Sequence, residues 1–323
     1  MDPKQLRIIF MGTPGFAVES LKALVENHYQ VVAVITAPDK PAGRGQNLSE
    51  PAVKVYAREK QIPVLQPEKL KNPEFLETLK GFRADLQIVV AFRMLPEVVW
   101  DMPPLGTFNL HGSILPNYRG AAPLNWAVIN GEKETGVTTF QLSHEIDTGK
   151  VLFMERTLIG EDETVGDIHD RLMVTGARLV LKTVDALAGG AVDPVPQEKL
   201  MDGTAELKPA PKMFRDDLRI PWDKPAKEVW NFIRGLSPYP AAWTTFVNLI
   251  SGKSTEVRIF LARPVQGEYA PSGTIKSDGK TILEAACGEG WLSVTDLQIS
   301  GRKRMKVEEF LRGFQKPQDY RLE

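Results

Sequence analysis

Two polar side chains suited to acyl-transfer chemistry stand two residues apart in the segment FNLHG. Asn109 and His111 share this segment, and on an extended strand such residues point to the same face. An amide and a protonated imidazole both donate hydrogen bonds, as the stabilisation of an oxyanion during acyl transfer requires. The pair alone also suits a strand-end asparagine that caps backbone groups and a half-packed histidine. Further residues must decide between these interpretations.

The elements around this pair predict an α/β domain with a Rossmann-like, mostly parallel sheet. Short apolar runs alternate with amphipathic stretches, as strands and crossover helices do. Because ligands of open α/β sheets bind at the carboxyl ends of strands, His111 lies at a suitable position. The predicted strands are 6–12, 31–36, 85–92 and 107–112, and the predicted helices are 16–27, 49–60 and 164–187.

The second half of the chain has a different texture. Residues 190–207 are rich in proline and lack apolar periodicity, which is typical of a linker. A helix is predicted over 224–236, followed by short β-like runs separated by glycine-bearing turns. We therefore expect a first domain over 1–189 and a small OB-like antiparallel β-barrel over 208–323.

Composition and charge narrow the functional classes. The chain has 323 residues with a formal net charge of -1. Residues 206–323 hold 19 Lys and Arg against 15 Asp and Glu, so that part carries +4 and the rest -5, an asymmetry that scattered surface charge also produces. No apolar run is long enough to span a membrane, and no signal-peptide pattern occurs at the start. The single cysteine, Cys287, excludes an intramolecular disulfide and a zinc site of paired cysteines. We expect a cytoplasmic protein without a metal.

Two other enzyme or binding classes are suggested by short motifs. Asp147, Thr148 and Gly149 resemble the catalytic loop of an aspartic protease, but a single chain of that class needs two such loops and only one is present. The segment GTPGF, with Gly12 and Gly15, lacks both the G-x-G-x-x-G spacing and a Lys-Ser/Thr ending of nucleotide-binding loops. It predicts a tight strand-to-helix turn.

The segment FNLHGSILPNYRGAAP, 108–123, resembles the folate-dependent formyltransferase family. Ile114 departs from the leucine that the family usually has there. The resemblance implies that Asn109, His111 and the downstream Asp147 form the catalytic site and that 10-formyltetrahydrofolate is the formyl donor. It also implies a folate site lined by Ser113, Ile114, Leu115 and Pro116. Candidates for an apolar pterin wall, each equally compatible with a core position, are Phe92, Met94, Leu95 and Leu142.

The chemistry then follows from the residue types. A neutral amine attacks the formyl carbon, and the tetrahedral oxyanion that forms needs hydrogen-bond donors. Asn109 and His111 are the expected donors. Asp147 is expected to stabilise the imidazolium by its charge and to help relay the proton that leaves the amine.

Other segments bear on the acceptor. The loop 36–57 resembles the insertion of family members that act on methionyl-initiator tRNA, and 210–222 with 236–246 resembles the start of their C-terminal domain. A member acting on glycinamide ribonucleotide would lack that domain, and a nucleotide-sugar member usually adds another. An RNA-binding module with an inactive catalytic fold is the alternative from a different class. The resemblance implies a monomer. The candidate tRNA contacts are Lys40, Arg44, Lys208, Lys212, Arg302, Lys303, Arg304 and Lys306.

Overall fold

The computed structural model describes residues 1–42, 47–201, 206–314 and 316–323. The chain divides into two compact units. The first consists of Met1–Pro123, Thr135–Thr157 and His169–Ala210. The second consists of Leu124–Glu134, Leu158–Ile168 and Pro211–Glu323. Both units are therefore built from more than one stretch of the chain.

The first unit contains an open sheet with helices between its strands. The strands are β1 (Ile8–Gly12), β2 (Val31–Ile35), β3 (Lys40–Ala42), β4 (Asn47–Ser49), β5 (Val64–Leu65), β6 (Leu86–Val90), β7 (Thr107–His111), β8 (Arg119–Gly120), β9 (Glu134–Gln141), β10 (Val151–Leu158) and β11 (Pro209–Ala210). The helices along the same stretch are α1 (Gly15–Glu26), α2 (Ala52–Glu59), α3 (Pro73–Gly81), α4 (Glu97–Trp100), α5 (Pro123–Ile129) and α6 (Val165–Ala188). Of these, α5 after Pro123 and α6 up to Ile168 belong to the second unit.

The main sheet has the strand order β10-β9-β7-β6-β1-β2-β5. The pairs from β7 through β5 are parallel, and β9 returns antiparallel to β7. Every residue of β1 and β6 is buried, as strands covered on both faces require. This arrangement confirms the predicted Rossmann-like, mostly parallel sheet.

Three strands of this sheet were not predicted from the sequence. β5 has only two residues, and β9 carries Gly136 and three threonines instead of a continuous apolar run. β10 becomes exposed towards its end. The apolar pattern typical of a strand is weak in all three segments, so they form strands by pairing with their neighbours in the sheet. The predicted helix 49–60 is shorter in the structure, because residues up to Ser49 pair in β4 and α2 begins at Ala52.

Sequence signals at helix starts explain two other boundaries. At the start of α6, the backbone amide of Thr164 donates to the Asp167 carboxylate at 2.8 Å, and the backbone amide of Asp167 donates to the Thr164 hydroxyl oxygen at 3.3 Å. This is a capping box. Asn72 caps α3, where its side chain accepts a hydrogen bond from the amide of Glu74.

The second unit contains a nearly closed antiparallel barrel. Its elements are α7 (Ala226–Leu236), β12 (Ala242–Asn248), β13 (Ser254–Val265), β14 (Ile275–Ser277), β15 (Leu283–Ala286), β16 (Trp291–Ile299), β17 (Met305–Lys306), α8 (Val307–Leu311) and β18 (Tyr320–Leu322). The strand order is β14-β15-β16-β13-β12-β18. A bridge between Thr274 and Arg321 brings the two ends of this order together. The predicted barrel fold is confirmed.

Burial of α7 completes the core of the second unit. Val229, Ile233 and Leu236 on α7 pack in one cluster with Phe246 of β12 and Leu292 of β16. The apolar residues of α7 recur at three- and four-residue spacing, so one face of the helix meets the sheet. The helix predicted over 224–236 is therefore confirmed as α7.

Candidate active site

Asn109 and His111 lie at the carboxyl end of β7, where the parallel part of the sheet meets the antiparallel β9. Asn109 is half-buried and His111 is 6% exposed. Asp147 lies in the connection between β9 and β10, and its carboxylate approaches His111 from there. The structure thus brings the histidine and the aspartate together from sites 36 residues apart in the chain.

The His111 ring has a different partner at each nitrogen. Nε2 lies 2.8 Å from the carbonyl oxygen of Tyr118, so this nitrogen carries the proton and donates it. Nδ1 lies 3.8 Å from Oδ2 of Asp147, which is longer than a hydrogen bond. The ring also packs edge-on against Phe140, with 6.3 Å between the ring centroids. The ring orientation is therefore fixed while Nδ1 stays available.

Asp147 is held in a left-handed backbone conformation, with φ of 55°. Aspartate adopts this region more readily than most residues. Its Oδ2 accepts a hydrogen bond of 2.9 Å from the backbone amide of Gly120. Gly149 permits the turn, because a Cβ at this position would lie 1.6 Å from the carbonyl oxygen of Gln141. The Asp-x-Gly pattern is thus explained by a close backbone approach.

Together these groups offer both acceptors and donors for acyl transfer. The Asp147 carboxylate can accept a proton, and a protonated His111 can donate from Nδ1. Within the described residues, the side-chain amide of Asn109 makes no hydrogen bond, so it too is available to donate. A substrate amine that enters beside Asp147 would therefore find its carboxylate as a base. His111 and Asn109 would be the two hydrogen-bond donors to an oxyanion.

The segment 113–116 is mostly buried by its own packing. Ser113 is fully buried, and its hydroxyl donates to the carbonyl of Asn117 at 2.8 Å. Leu115 packs in a small core with Phe140 and Val151. Ile114 is half-buried, with its Cδ1 close to Gly136. The Leu115 side chain therefore belongs to the core, and a ligand would contact this segment mainly through other atoms.

The four residues predicted for an apolar wall have different surroundings. Leu95 belongs to a core cluster with Ile9 and Val89, and Phe92 and Leu142 pack against that cluster from partly buried positions. Met94 is 74% exposed. Phe92 and Leu142 combine an apolar contact with residual access, so they fit a ligand wall better than Leu95 does.

Of the candidate tRNA contacts in the first unit, Lys40 is exposed at the start of β3 and pairs with Ser49 of β4. Arg44 lies outside the described residues. The backbone of Lys208 is held near the catalytic strand: its amide donates to Oδ1 of Asn117 at 3.0 Å, and its carbonyl accepts from the amide of Tyr118 at 2.6 Å.

In the second unit the candidate cations differ in their surroundings. Arg302 and Lys303 are exposed in the turn after β16. Arg304 and Lys306 both pair with the buried carboxylate of Asp296, at 2.5 and 3.1 Å. Lys212 lies 5.2 Å from the centre of the Phe214 ring. Within the described residues, Arg302 and Lys303 form no ion pair, whereas the Asp296 carboxylate partly neutralises Arg304 and Lys306.

Sequence reasoning missed Gln197, and it included Arg119 only as part of the segment 108–123, without a role of its own. Gln197 is fully buried, and its amide nitrogen donates to the carbonyl oxygens of Asp147 and Gly149, both at 2.8 Å. Arg119 donates to the Gln197 side-chain oxygen from Nε and Nη2, at 3.0 and 2.6 Å. Gln197 occurs in the segment predicted as a linker, where no local pattern marks it.

The described residues contain no group of three or more His, Cys, Asp or Glu arranged to hold a metal ion.

Burial raises the pKa of the Cys287 thiol to about 12. This residue is therefore a core side chain and not a nucleophile. Across the described part of the chain, no helix is long and apolar enough to cross a membrane.

Comparison with known proteins decides the family. The protein-family model described as "Formyl transferase" matches residues 6–184. The family model described as "Formyl transferase, C-terminal domain" matches residues 212–315. The chain belongs to the formyl transferase family. The first match contains Asn109, His111 and Asp147, and the second contains most of the barrel.

Individual formyl transferases are similar over the whole chain. It is 54% identical to the methionyl-tRNA formyltransferase of Bacteroides thetaiotaomicron, with 100% of both chains covered. It is 55% identical to the protein of the same name from Parabacteroides distasonis, with 99% of both chains covered.

Solved structures share the fold at low identity. HypX from Aquifex aeolicus, in complex with tetrahydrofolic acid, has a TM-score of 0.63 at 20% identity; 95% of this chain is covered, but only 48% of HypX. The sugar 3N-formyl transferase WlaRD has a TM-score of 0.61 at 18% identity, with 92% of this chain and 99% of that one covered.

Proposed function

We propose that the chain transfers a formyl group from 10-formyltetrahydrofolate to the amino group of methionyl-initiator tRNA. The observation that carries this proposal is the 54–55% identity to methionyl-tRNA formyltransferases over essentially the full length of both chains. The similarity extends through both units, so it supports the acceptor as well as the reaction. The site around His111 supplies the groups that the reaction needs.

In the proposed mechanism, the neutral methionine amine attacks the formyl carbon. The carbonyl oxygen becomes an oxyanion, which accepts hydrogen bonds from the Asn109 amide and from Nδ1 of His111. The amine proton passes to the Asp147 carboxylate. The bond from the formyl carbon to N10 of the folate then breaks as the oxyanion collapses, and N10 takes up a proton while Asp147 gives up the one it accepted. Formylmethionyl-tRNA and tetrahydrofolate result, with no net change in protons.

The two proposed substrates would contact different parts of the chain. Ser113 to Pro116, with Phe92, Met94, Leu95 and Leu142, are proposed for the folate. Lys40 and Arg44 are proposed for the acceptor end of the tRNA. The second unit would hold the tRNA backbone, since exposed cations bind phosphates; its proposed contacts are Lys212, Arg302, Lys303, Arg304 and Lys306, with Lys208 just before it.

We also propose that the catalytic domain spans 1–189, that 190–207 links it to a tRNA-binding domain over 208–323, and that the protein acts as a cytoplasmic monomer. Light scattering of the purified chain would then give a mass close to 35.9 kDa. A mass of twice that value would contradict the monomer without affecting the proposed reaction.

An acceptor comparison tests the proposal. The purified full chain is incubated with 10-formyltetrahydrofolate and, in separate reactions, with methionyl-initiator tRNA, glycinamide ribonucleotide or a nucleotide-linked amino sugar. Mass spectrometry measures the formylated product. We expect formylmethionine from the tRNA reaction and no product from the other two. Transfer to either small acceptor without transfer to the tRNA would overturn the assignment.

A further inference from the structure

Gln197 is a fully buried side chain that hydrogen-bonds to the backbone of the 147–149 turn and to the side chain of Arg119. Its amide nitrogen donates to the carbonyl oxygens of Asp147 and Gly149, at 2.8 Å each. Its side-chain oxygen accepts two hydrogen bonds from Arg119. Both donor hydrogens and both acceptor sites of the amide are therefore used.

The contacts of Gln197 converge on Asp147 from two sides. On one side, Gln197 holds the main chain of the 147–149 turn. On the other, it holds Arg119, the neighbour of Gly120, whose backbone amide donates to the Asp147 carboxylate at 2.9 Å. One side chain thus fixes both the backbone of Asp147 and the donor that orients its carboxylate.

The segment that carries Gln197 is itself fixed. Val195 and Val151 exchange two backbone hydrogen bonds, of 2.8 and 2.9 Å, at the start of β10. Asp147 needs such support, because its φ of 55° is uncommon for a residue other than glycine. Without the bond to its carbonyl, the 147–148 peptide could rotate towards commoner backbone angles, and the carboxylate would leave its position 3.8 Å from His111.

We propose that Gln197 is a positioning residue that holds the Asp147 carboxylate against His111. This inference rests on the proposed function, in which Asp147 accepts the proton of the attacking amine. Gln197 does not itself touch the substrates. A displacement of about 1 Å at a reacting group lowers turnover by up to about a hundredfold, so loss of Gln197 should act on kcat.

The test compares Gln197→Leu in two backgrounds, natural and Asp147→Asn. Leucine has a similar size but makes none of the four hydrogen bonds. In the natural background we expect kcat for formyl transfer to fall about tenfold or more, with KM for each substrate changed less than about threefold. In the Asp147→Asn background the same replacement should lower the single-turnover rate less than about twofold, because the carboxylate it positions is already absent.

Two further variants keep the result interpretable. Gln197→Glu retains an oxygen for Arg119 but places a carboxylate against two carbonyl oxygens, so it should lose activity even if Gln197→Leu does not fold. Thr183→Val is the matched control: it removes buried hydrogen bonds to Thr139 and the carbonyl of Leu179. We expect it to lower the melting temperature without lowering kcat more than about twofold.

An equal loss of rate in both backgrounds would overturn the positioning role, and so would unchanged kcat in folded Gln197→Leu and Gln197→Glu. A natural protein that forms no formylmethionyl-tRNA would instead refute the proposed function. The two failures are therefore distinguishable.

Discussion

Of the two ring nitrogens of His111, Nε2 is held by the carbonyl oxygen of Tyr118 at 2.8 Å, while Nδ1 makes no direct hydrogen bond within the described residues. The nearby carboxylate of Asp147, at 3.8 Å, leaves Nδ1 room to meet a substrate atom. One nitrogen thus orients the ring and the other is available for chemistry. Replacing the His111 side chain should therefore remove its hydrogen-bond donor without leaving a large cavity in the hydrophobic core.

We expect His111→Ala to lower kcat by at least about a hundredfold, the scale of losing oxyanion or acid-base help. Steady-state formylation of methionyl-tRNA measures the effect. His169→Ala is the matched control, since His169 is also in the first unit but packs beside Phe16 and Asp170. Near-normal turnover of folded His111→Ala would remove this residue from the mechanism.

At the scale of elements, the short β8–β11 pair holds the backbone amide of Gly120, which donates a hydrogen bond to the Asp147 carboxylate. Gly120 has a φ of 126°, and a Cβ there would lie 2.4 Å from the carbonyl oxygen of Ala210. Pro209 and Ala210 pair in parallel with Arg119 and Gly120. The position therefore requires glycine for both its backbone angle and its packing.

Gly120→Ala should separate β8 from β11 and move the Gly120 amide away from Asp147. We expect a lower melting temperature and a kcat reduced about tenfold or more. Gly81→Ala serves as the control, because an added Cβ meets nothing within 4 Å there. If Gly120→Ala keeps both its melting temperature and its kcat, the pair does not position Asp147.

A charged cluster joins the two ends of the β3–β4 hairpin, which carries Lys40. Hydrogen bonds from Lys54 and Gln66 lower the pKa of Asp39, and those from Arg58 and Lys54 lower the pKa of Glu50. Lys54 lies 2.5 Å from Asp39 and 2.9 Å from Glu50. Because both folded carboxyl pKa values are lowered, the stabilisation is present above the ordinary pKa of about 4 and is lost as pH falls through the folded values.

Hydrogen exchange of the segment around the hairpin, corrected for the intrinsic rate, tests this pH dependence. We expect protection to decrease below about pH 4 in the natural protein. In Lys54→Met, protection should be weaker at neutral pH and should change less on acidification. The same acid profile in both proteins would show that the cluster does not hold the hairpin.

The sequence predicted those elements whose pattern is local. β1, β2, β6 and β7 are apolar runs, and their order indicated the Rossmann-like sheet. β9 and β10 were missed because their apolar content is interrupted, yet they frame the turn that holds Asp147. Asn109 and His111 were proposed from their residue types and spacing, and Asp147 was added through the resemblance; the structure places Asp147 3.8 Å from His111.

Gln197 could not be found in this way. It acts through backbone carbonyls that lie 50 and 48 residues away in the chain, a relation that only the folded structure reveals. Arg119 is part of the segment 108–123 that carries the family resemblance, but the resemblance gave it no role. Its hydrogen bonds to Gln197 are visible only in the folded structure.

At the scale of the whole molecule, the formal charge of -1 conceals an uneven distribution, with +4 over residues 206–323. Arg302 and Lys303 are exposed, whereas Arg304 and Lys306 share the Asp296 carboxylate. Phosphate binding releases counterions and depends on the number of cations involved. The exposed pair should therefore contribute most to the salt dependence of tRNA binding.

The double variant Arg302→Ala with Lys303→Ala should bind tRNA more weakly and with a shallower dependence on salt, by about 0.9 in log-log slope for each phosphate that is no longer neutralised. Folate binding should not change. Lys71→Ala with Lys80→Ala removes the same charge from the region of α3 as a control. Equal effects of the two double variants would indicate a general charge effect instead of a binding surface.

The most direct test of the central claim is the single-turnover rate of formyl transfer to methionyl-initiator tRNA, measured for the natural protein and for Asp147→Asn with both substrates saturating. Asparagine keeps the size and the acceptor oxygen for Gly120 but cannot take the amine proton. We predict formylmethionine from the natural protein and a rate at least about a hundredfold lower from Asp147→Asn. Equal rates from the two proteins, or no formylmethionine from the natural protein, would contradict the account.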